Sequence, residues 1–477
     1  MGRRGKPLRV LMIAGGTALG AIVVAALWIW STPGERGPSG GFEPFCWPAG
    51  LATVPSEPRG RVNWMGHWLG EDKRESLVRE VAAEFGFLHQ GIEVNLKFPQ
   101  EIMGSRGHLE TARFVAAMIR SGRVEWDVLW LEPRTYEYVA EELSDPDWGA
   151  KHLVDFREIP GFAETQKPFI IADPAYRNQT GGILTGPYIE GYYYALWYNQ
   201  DVARRLGLTI KPAGMTFEDL LGYVRAVAEY NRNHKEGVAA FYESSDWVTM
   251  EILFQRLVKS LLSFEEGKRE ESSPEKLAAL RRTLAAFEAL GRYDPLIASH
   301  GENQWFATRG LVLNDAALFY VNGTWMYSHW RGMNPEKMKK MAPVELPAFG
   351  ETDHYLGGYL PTWAVMKATA NREHAIDLVM FWSRPAIAEK WVRYTKNPTG
   401  LRGHLASPAW SSDVFERFVE DVGRRYVSRV DYSSTAGYLL GRENWGLQRE
   451  IEAELILILT GETSAEEAYD RIMALCR

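Results

Sequence analysis

The stretch from Gly181 to Val224 reads GGILTGPYIEGYYYALWYNQDVARRLGLTIKPAGMTFEDLLGYV. A Gly-rich lead enters a turn at Gly186-Pro187. An aromatic strand follows, Tyr193-Tyr194-Ala195-Leu196-Trp197-Tyr198, with the look of a buried one. An Asn199-Gln200-Asp201 corner opens a short helix, Val202 to Leu206, that stops at Gly207. After Pro212, a second helix starts at Thr216. Phe217, Leu220, Leu221, Val224 and Val227 form its apolar stripe. Such a segment suits a chain passing between two lobes: rigid on both sides and bendable at the joint.

Outward from this stretch, the pattern is α/β. Val62 and Trp64 alternate in a short strand, and Leu77, Val78, Val81, Ala82 and Phe85 recur at helical spacing. Ile92, Val94, Leu96 and Phe98 alternate as a second strand. Phe114 to Ile119 reads as a helix closed by basic residues and Gly122. Trp126 to Leu131 reads as a third, fully buried strand. Strands alternating with helices predict a parallel sheet covered on both faces, with ligands at the strand C-terminal ends. Further on, Leu277 to Leu290 is a helix, Leu318 to Val321 a strand, and His374 to Trp382 a helix with Asn371 as its cap. Pro385 opens another helix, and the chain ends with helices from Trp445 to Leu459 and from Ser464. The charged residues 265–276 read as an exposed turn. No internal repeat or low-complexity tract is visible.

A chain of 477 residues is too long for one ordinary core, so two lobes are expected. The charge balance, 54 basic against 61 acidic residues, offers no basic excess to neutralise phosphates and argues against nucleic acid. Aromatic content is the outlier, with 18 Trp, 21 Tyr and 20 Phe. Most of these rings belong to cores; the surplus is what a carbohydrate site would draw on.

The N-terminus points out of the cell. Arg3, Arg4, Lys6 and Arg9 precede an uncharged run from Val10 to Trp30, long enough to cross a hydrocarbon core of about 30 Å. Basic residues before the run favour an inside N-terminus and an exported body. The run ends Trp28-Ile29-Trp30 without small residues for cleavage, which favours an uncleaved anchor over a cleaved signal. Residues 31–60, with Pro33, Pro38, Pro44, Pro48, Pro55 and Pro58, read as a linker. Cys46 and Cys476 offer one disulfide outside the cell, or two unpaired thiols. Neither has a CxxC partner or a His cluster, so no metal site is expected, and no cofactor motif is present.

Six segments in order resemble family 1 extracellular solute-binding proteins, the maltose-binding protein group. They are Asp127 to Glu132, Pro187 to Asp201, Ala317 to Trp325, Gly357-Gly358 before Ala364-Val365, Ala375 to Pro385, and Leu459-Thr460-Gly461 with Glu466-Glu467-Ala468. The resemblance covers most of the chain from about Arg61. It implies a two-lobed periplasmic-binding-protein fold of type II, the Venus flytrap, behind an N-terminal anchor or signal helix at residues 1–30. Lobe 1 is expected at 61–182 and 305–356, and lobe 2 at 183–304 and 357–477, with crossings near Ile183–Tyr194, Asn303–Val312 and Gly357–Ala364. The implied function is extracytoplasmic capture of a small solute, a sugar or oligosaccharide, for the permease subunits of an ABC transporter. The N-terminal helix would hold the protein at the membrane.

The same resemblance, with residue chemistry, gives candidate ligand contacts. Trp64, His67 and Trp68 lie where the first strand meets its loop, although Trp64 reads equally as core and His67 as a solvated loop residue. Glu132 ends the third strand, where family members often carry Asp; its alternative is a surface pairing with Arg134. Tyr188, Glu190 and Tyr192 lie at the crossover, with Tyr193, Tyr194 and Trp197 read as packing. Trp247 sits in a loop that presents an aromatic ring. Asn322 and Trp325 flank a helix start, and Gly358 and Tyr359 permit close backbone approach. Trp445 would close the cleft from the C-terminal helices or belong to the core. Flat aromatic rings match the apolar faces of sugars, and carboxylates and amides match their hydroxyls. The competing classes are an exported sensory module and a glycosidase using Glu132 and Glu190 as paired carboxylates. No Gly-x-Ser-x-Gly, His-Glu-x-x-His or Walker motif supports catalysis.

Overall fold

A computed structural model describes residues 60–105, 107–165, 183–263, 272–302, 304–360, 362–400, 413–426, 428–430 and 445–475. The apolar run 10–30, the linker up to residue 59, and Cys46 and Cys476 lie outside the described residues. Among the described residues, no helix is long and apolar enough to cross a membrane.

Among the described residues ten strands run Gly60–Met65 (β1), Ile92–Lys97 (β2), Val128–Trp130 (β3), Glu190–Asn199 (β4), Ala239–Phe241 (β5), Ala317–Gly323 (β6), Met341–Val344 (β7), His354–Leu360 (β8), Trp363–Val365 (β9) and Ser428–Val430 (β10). They form two sheets. The first has the order β2-β1-β3-β9 and the second β10-β8-β4-β6-β5, with β7 also on β4. Each sheet carries its own hydrophobic core, so the chain is built as two lobes.

In the first lobe, β1 pairs in parallel with β2 and β3, as the alternating pattern predicts. The Lys73–Leu88 helix buries Leu77, Val78, Val81, Ala82 and Phe85 against this sheet. The sheet is not wholly parallel: β9 arrives from far along the chain and runs antiparallel to β3, Trp130 opposite Trp363. Asp127 ties these pieces together. Its carboxylate accepts from the Asn63 N–H at 2.6 Å, from the Thr369 hydroxyl, and from the Asn371 amide at 3.3 Å. Asn371, expected as a helix cap, therefore turns its side chain to Asp127 and gives the Arg372–Trp382 helix no side-chain cap.

In the second lobe, β4 is the central strand, buried at nearly every position. It pairs antiparallel with β6, β7 and β8. The local chemistry read from its sequence is present. The Asn199 side chain accepts from the N–H groups of Asp201 and Val202, which starts the Gln200–Arg205 helix. Gly207 supplies the left-handed stop with φ 68°. Thr216 and Asp219 form a reciprocal capping box on the Phe217–Asn233 helix.

The expected division of the chain needs correction. Residues 305–356 belong to the second lobe, because β6 hydrogen-bonds along β4 and packs in the second core. Residues 363–395 belong to the first, because β9 pairs with β3 and the helices Arg372–Trp382 and Pro385–Thr395 pack in the first core. Among the described residues, the chain passes between lobes at Tyr188–Tyr193 and at Gly357–Thr362, and it leaves the first lobe again at 397–400. The passage expected near Asn303–Val312 is not found among the described residues, where Ile297, Trp305 and Val312 all pack in the second core. The three passages touch one another. Gly191 pairs with Tyr359, and an added Cβ on Gly191 would lie 2.5 Å from the Pro398 carbonyl oxygen. The Gly400 N–H donates to the Tyr188 carbonyl at 3.0 Å.

Candidate functional site

The parallel strands β1 and β3 end side by side, so their following loops form one wall. Gly66, His67 and Trp68 follow β1; Trp130 ends β3 and Glu132 follows it. The His67 imidazole lies flat on the Trp130 indole, with ring centres 3.7 Å apart and planes 6° from parallel. Both border a recess that Met65, Pro99, His108 and Thr135 complete. Glu132 precedes the Pro133–Leu143 helix and meets His108 Nδ1 at 2.9 Å, and the same nitrogen lies 3.0 Å from the Thr135 hydroxyl. Burial raises the Glu132 carboxyl, but His108 beside it, with Arg134 and His67, brings it below the ordinary carboxylate range. The carboxylate is thus paired with His108, not with Arg134 alone, whose Nε donates to the Tyr138 hydroxyl.

The second wall is aromatic. Trp325 sits half-buried at the start of the Met326–Met333 helix, beyond the end of β6. Its indole lies over Gly323, where an added Cβ would come within 2.1 Å of the ring. Tyr192 and Tyr194, two apart on β4 and so on one face, meet Trp325 at 5.8 and 5.3 Å between ring centres. Trp247 runs nearly parallel to Trp325 at 6.4 Å and 18°. Trp305 meets Trp247 at 5.3 Å. The loop holding Trp247 is fixed from below: the Glu243 carboxyl accepts from the N–H groups of Ser244, Thr249 and Met250, each within 2.9 Å. Burial raises Glu243 to about 7 against the pull of these donors.

The two lobes meet beside these walls. Arg74, caged between the rings of Trp68 and Trp391, pairs with Glu71 at 3.1 Å. Glu71 faces His329 of the second lobe at 3.5 Å, and Arg309 Nη1 donates to His329 Nδ1 at 2.7 Å. Asp72 pairs with Arg331 at 3.1 Å. Farther along, Glu452 on the Trp445–Leu459 helix is raised to about 8 by burial and by Glu251, while Gln448 and Arg134 of the first lobe pull it down.

Several expected contacts lie elsewhere. Trp64 is 1% exposed and packs edge-on against Trp363 and Trp382, so it is core. Trp68 is buried with φ 72° and serves as one face of the Arg74 cage. Asn322 is fully buried; its amide donates to the Tyr320 hydroxyl and accepts from the Gly323 N–H. Tyr188 and Tyr359 are buried packing of the hinge, and Gly358 pairs with Tyr192 there. Glu190 is 3% exposed, at the start of β4. Burial pushes its carboxyl up to about 8. The indoles of Trp363 and Trp382 and the Arg74 guanidinium oppose this, though no hydrogen bond to either oxygen closes with ordinary geometry. Trp445 starts its helix, and its side chain lies outside the described residues. His67, Glu132, Tyr192, Trp247 and Trp325 remain on the two walls. Trp130, His108, Tyr194 and Trp305 join them. Tyr194, read from the sequence as packing, shares a face with Tyr192 through their two-residue spacing, and Trp130 stands at a strand end. His108 and Trp305 carry no local signal. Among the described residues no group of three or more His, Cys, Asp or Glu is arranged to hold a metal.

Comparison with known proteins places this geometry. The family model described as bacterial extracellular solute-binding protein matches residues 110–415. A search of curated proteins finds no match. Among solved structures, the GacH receptor of Streptomyces glaucescens, studied unliganded and with acarbose, is 16% identical with a TM-score of 0.64, covering 87% of this chain and 96% of its own. Maltose-bound MalE3 of T. maritima is 15% identical with a TM-score of 0.61, covering 87% and 99%. An ABC substrate-binding protein of Listeria monocytogenes in complex with cycloalternan is 15% identical with a TM-score of 0.60, covering 87% and 98%. At these identities the likeness is one of fold, and it matches the two-lobed α/β architecture described above. With the family model spanning well over half of its length, the chain belongs to the bacterial extracellular solute-binding protein family.

Proposed function

We propose that the protein captures a saccharide outside the cytoplasmic membrane and delivers it, chemically unchanged, to the permease of an ABC transporter. The observation that carries this reading is the aromatic wall of the half-buried Trp325 and Trp247, backed by the buried rings of Tyr192 and Tyr194. Such a wall offers flat apolar area to sugar C–H faces. The Glu132–His108 pair on the other lobe supplies charge-assisted partners for hydroxyls. The saccharides bound by the structural neighbours support the same class. The apolar run 10–30 would export or tether the body. Delivery requires release, so a dissociation constant near micromolar, about −8 kcal/mol, fits the task. The lobes would close on the ligand by a shift in population.

Paired-carboxylate hydrolysis has less support. Glu190 is buried in the hinge against indole rings, while Glu132 stands at a strand end in the first lobe and is engaged by His108.

The test is a thermal-shift panel of the full chain with maltose, acarbose, a chitin oligosaccharide and cycloalternan. A saccharide at 100 times its dissociation constant stabilises by about 2.7 kcal/mol. Trp325→Ala is expected to abolish that shift while the ligand-free melt is retained. No shift with any saccharide, or an unaltered shift in Trp325→Ala, would overturn the reading.

A further inference from the structure

We propose that His67 is a built-in occupant of a saccharide subsite on Trp130, and that a sugar ring seats there only by displacing it. The inference rests on the saccharide reading above and deepens it.

The parallel stack carries the argument. A separation of 3.7 Å at 6° is face-to-face cover, whereas the neighbouring ring of Trp68 meets Trp130 at 70°. The indole stands at the C-terminal end of β3, where a ligand face is expected, and an imidazole covers it. His67 belongs to the loop after β1 and not to a strand. Hydroxyl partners stand at the recess: His108 and Thr135 line it, and Glu132 meets His108 at 2.9 Å behind them. A flat ring on Trp130 beside a carboxylate–imidazole pair is the arrangement a bound pyranose would adopt. The imidazole occupies the face of the indole that such a ring would use.

The consequence is a reversal of sign. A residue that contacts ligand loses affinity on truncation; a residue that competes with ligand gains it. His67→Ala is expected to tighten saccharide binding about two- to ten-fold, the range of an aromatic stacking contact. His67→Phe, which keeps a flat ring over the indole, is expected to give no such gain. Binding would be measured calorimetrically with the panel member giving the largest thermal shift. Proton NMR of the wild-type chain gives an independent readout. The imidazole protons of His67, identified by their loss in His67→Ala, should lie upfield in the indole ring current and return downfield at saccharide saturation. Weaker binding by His67→Ala, or an upfield signal that persists at saturation, would overturn the inference and leave the saccharide reading standing. Absence of saccharide binding by the wild type would overturn both.

Discussion

Glu190→Gln isolates the energetics of the hinge. The Glu190 carboxyl is almost wholly removed from water, and its ordinary value of 4.5 rises to about 8. In the unfolded chain the group ionises near 4.5; in the native chain it keeps its proton to about 8. Between these values the native state holds a proton that the unfolded state has released. Its contribution to stability is therefore complete below about pH 4.5 and is lost as pH rises to about 8. At 1.36 kcal/mol per pKa unit, the whole loss is on the order of 5 kcal/mol. Glutamine is similar in shape and neutral throughout. The stability of Glu190→Gln minus that of wild type should therefore rise across this window and level off above it. Urea melts of both proteins at about pH 5, 6.5 and 9 supply the difference. Other raised carboxyls, Glu243 and Glu452, titrate in both proteins and cancel. Any fixed cost of the amide shifts the curve without tilting it. A difference that stays constant over the window, or falls with rising pH, refutes the burial argument for Glu190.

Two further substitutions probe the walls and their contact. Gly323→Ala places a methyl group where the Trp325 indole lies, so the ring must leave its seat; a loss of about 1–3 kcal/mol in stability is expected from overpacking, together with weakened saccharide binding, as read by urea melts and calorimetry. Glu71→Gln removes the carboxylate between Arg74 and His329 and leaves the buried guanidinium without it; stability should drop by about 3 kcal/mol, and small-angle scattering should show a more open molecule, whereas unchanged melts and dimensions would deny the contact a role in joining the lobes.

Much of the fold was legible because short-range chemistry writes it. Asn199, Gly207 and Thr216 act on neighbours within a few residues, and the alternation in β1 and β2 needs only a period of two. Lobe membership was not legible. β6 and β9 look like other buried strands, and nothing local tells which sheet they join; pairing with β4 or β3 decides it across a long sequence separation. The site divided along the same line. Trp325 and Trp247 announced themselves as aromatics after turn-rich segments. His108 reaches Glu132 only through the packing of two helix starts. Glu190, read as a ligand contact from its place at the crossover, is enclosed instead by Trp363 and Trp382, which return from the far chain and leave no local sign of doing so.

The late arrival of β9 bears on how the protein is made. The first sheet lacks an edge strand, and Trp64 lacks Trp363 and Trp382, until residues 363–395 have been synthesised. Most of the polypeptide therefore leaves the ribosome before its earliest-translated half can close its interior. Closure of the first sheet thus waits on the final quarter of the chain.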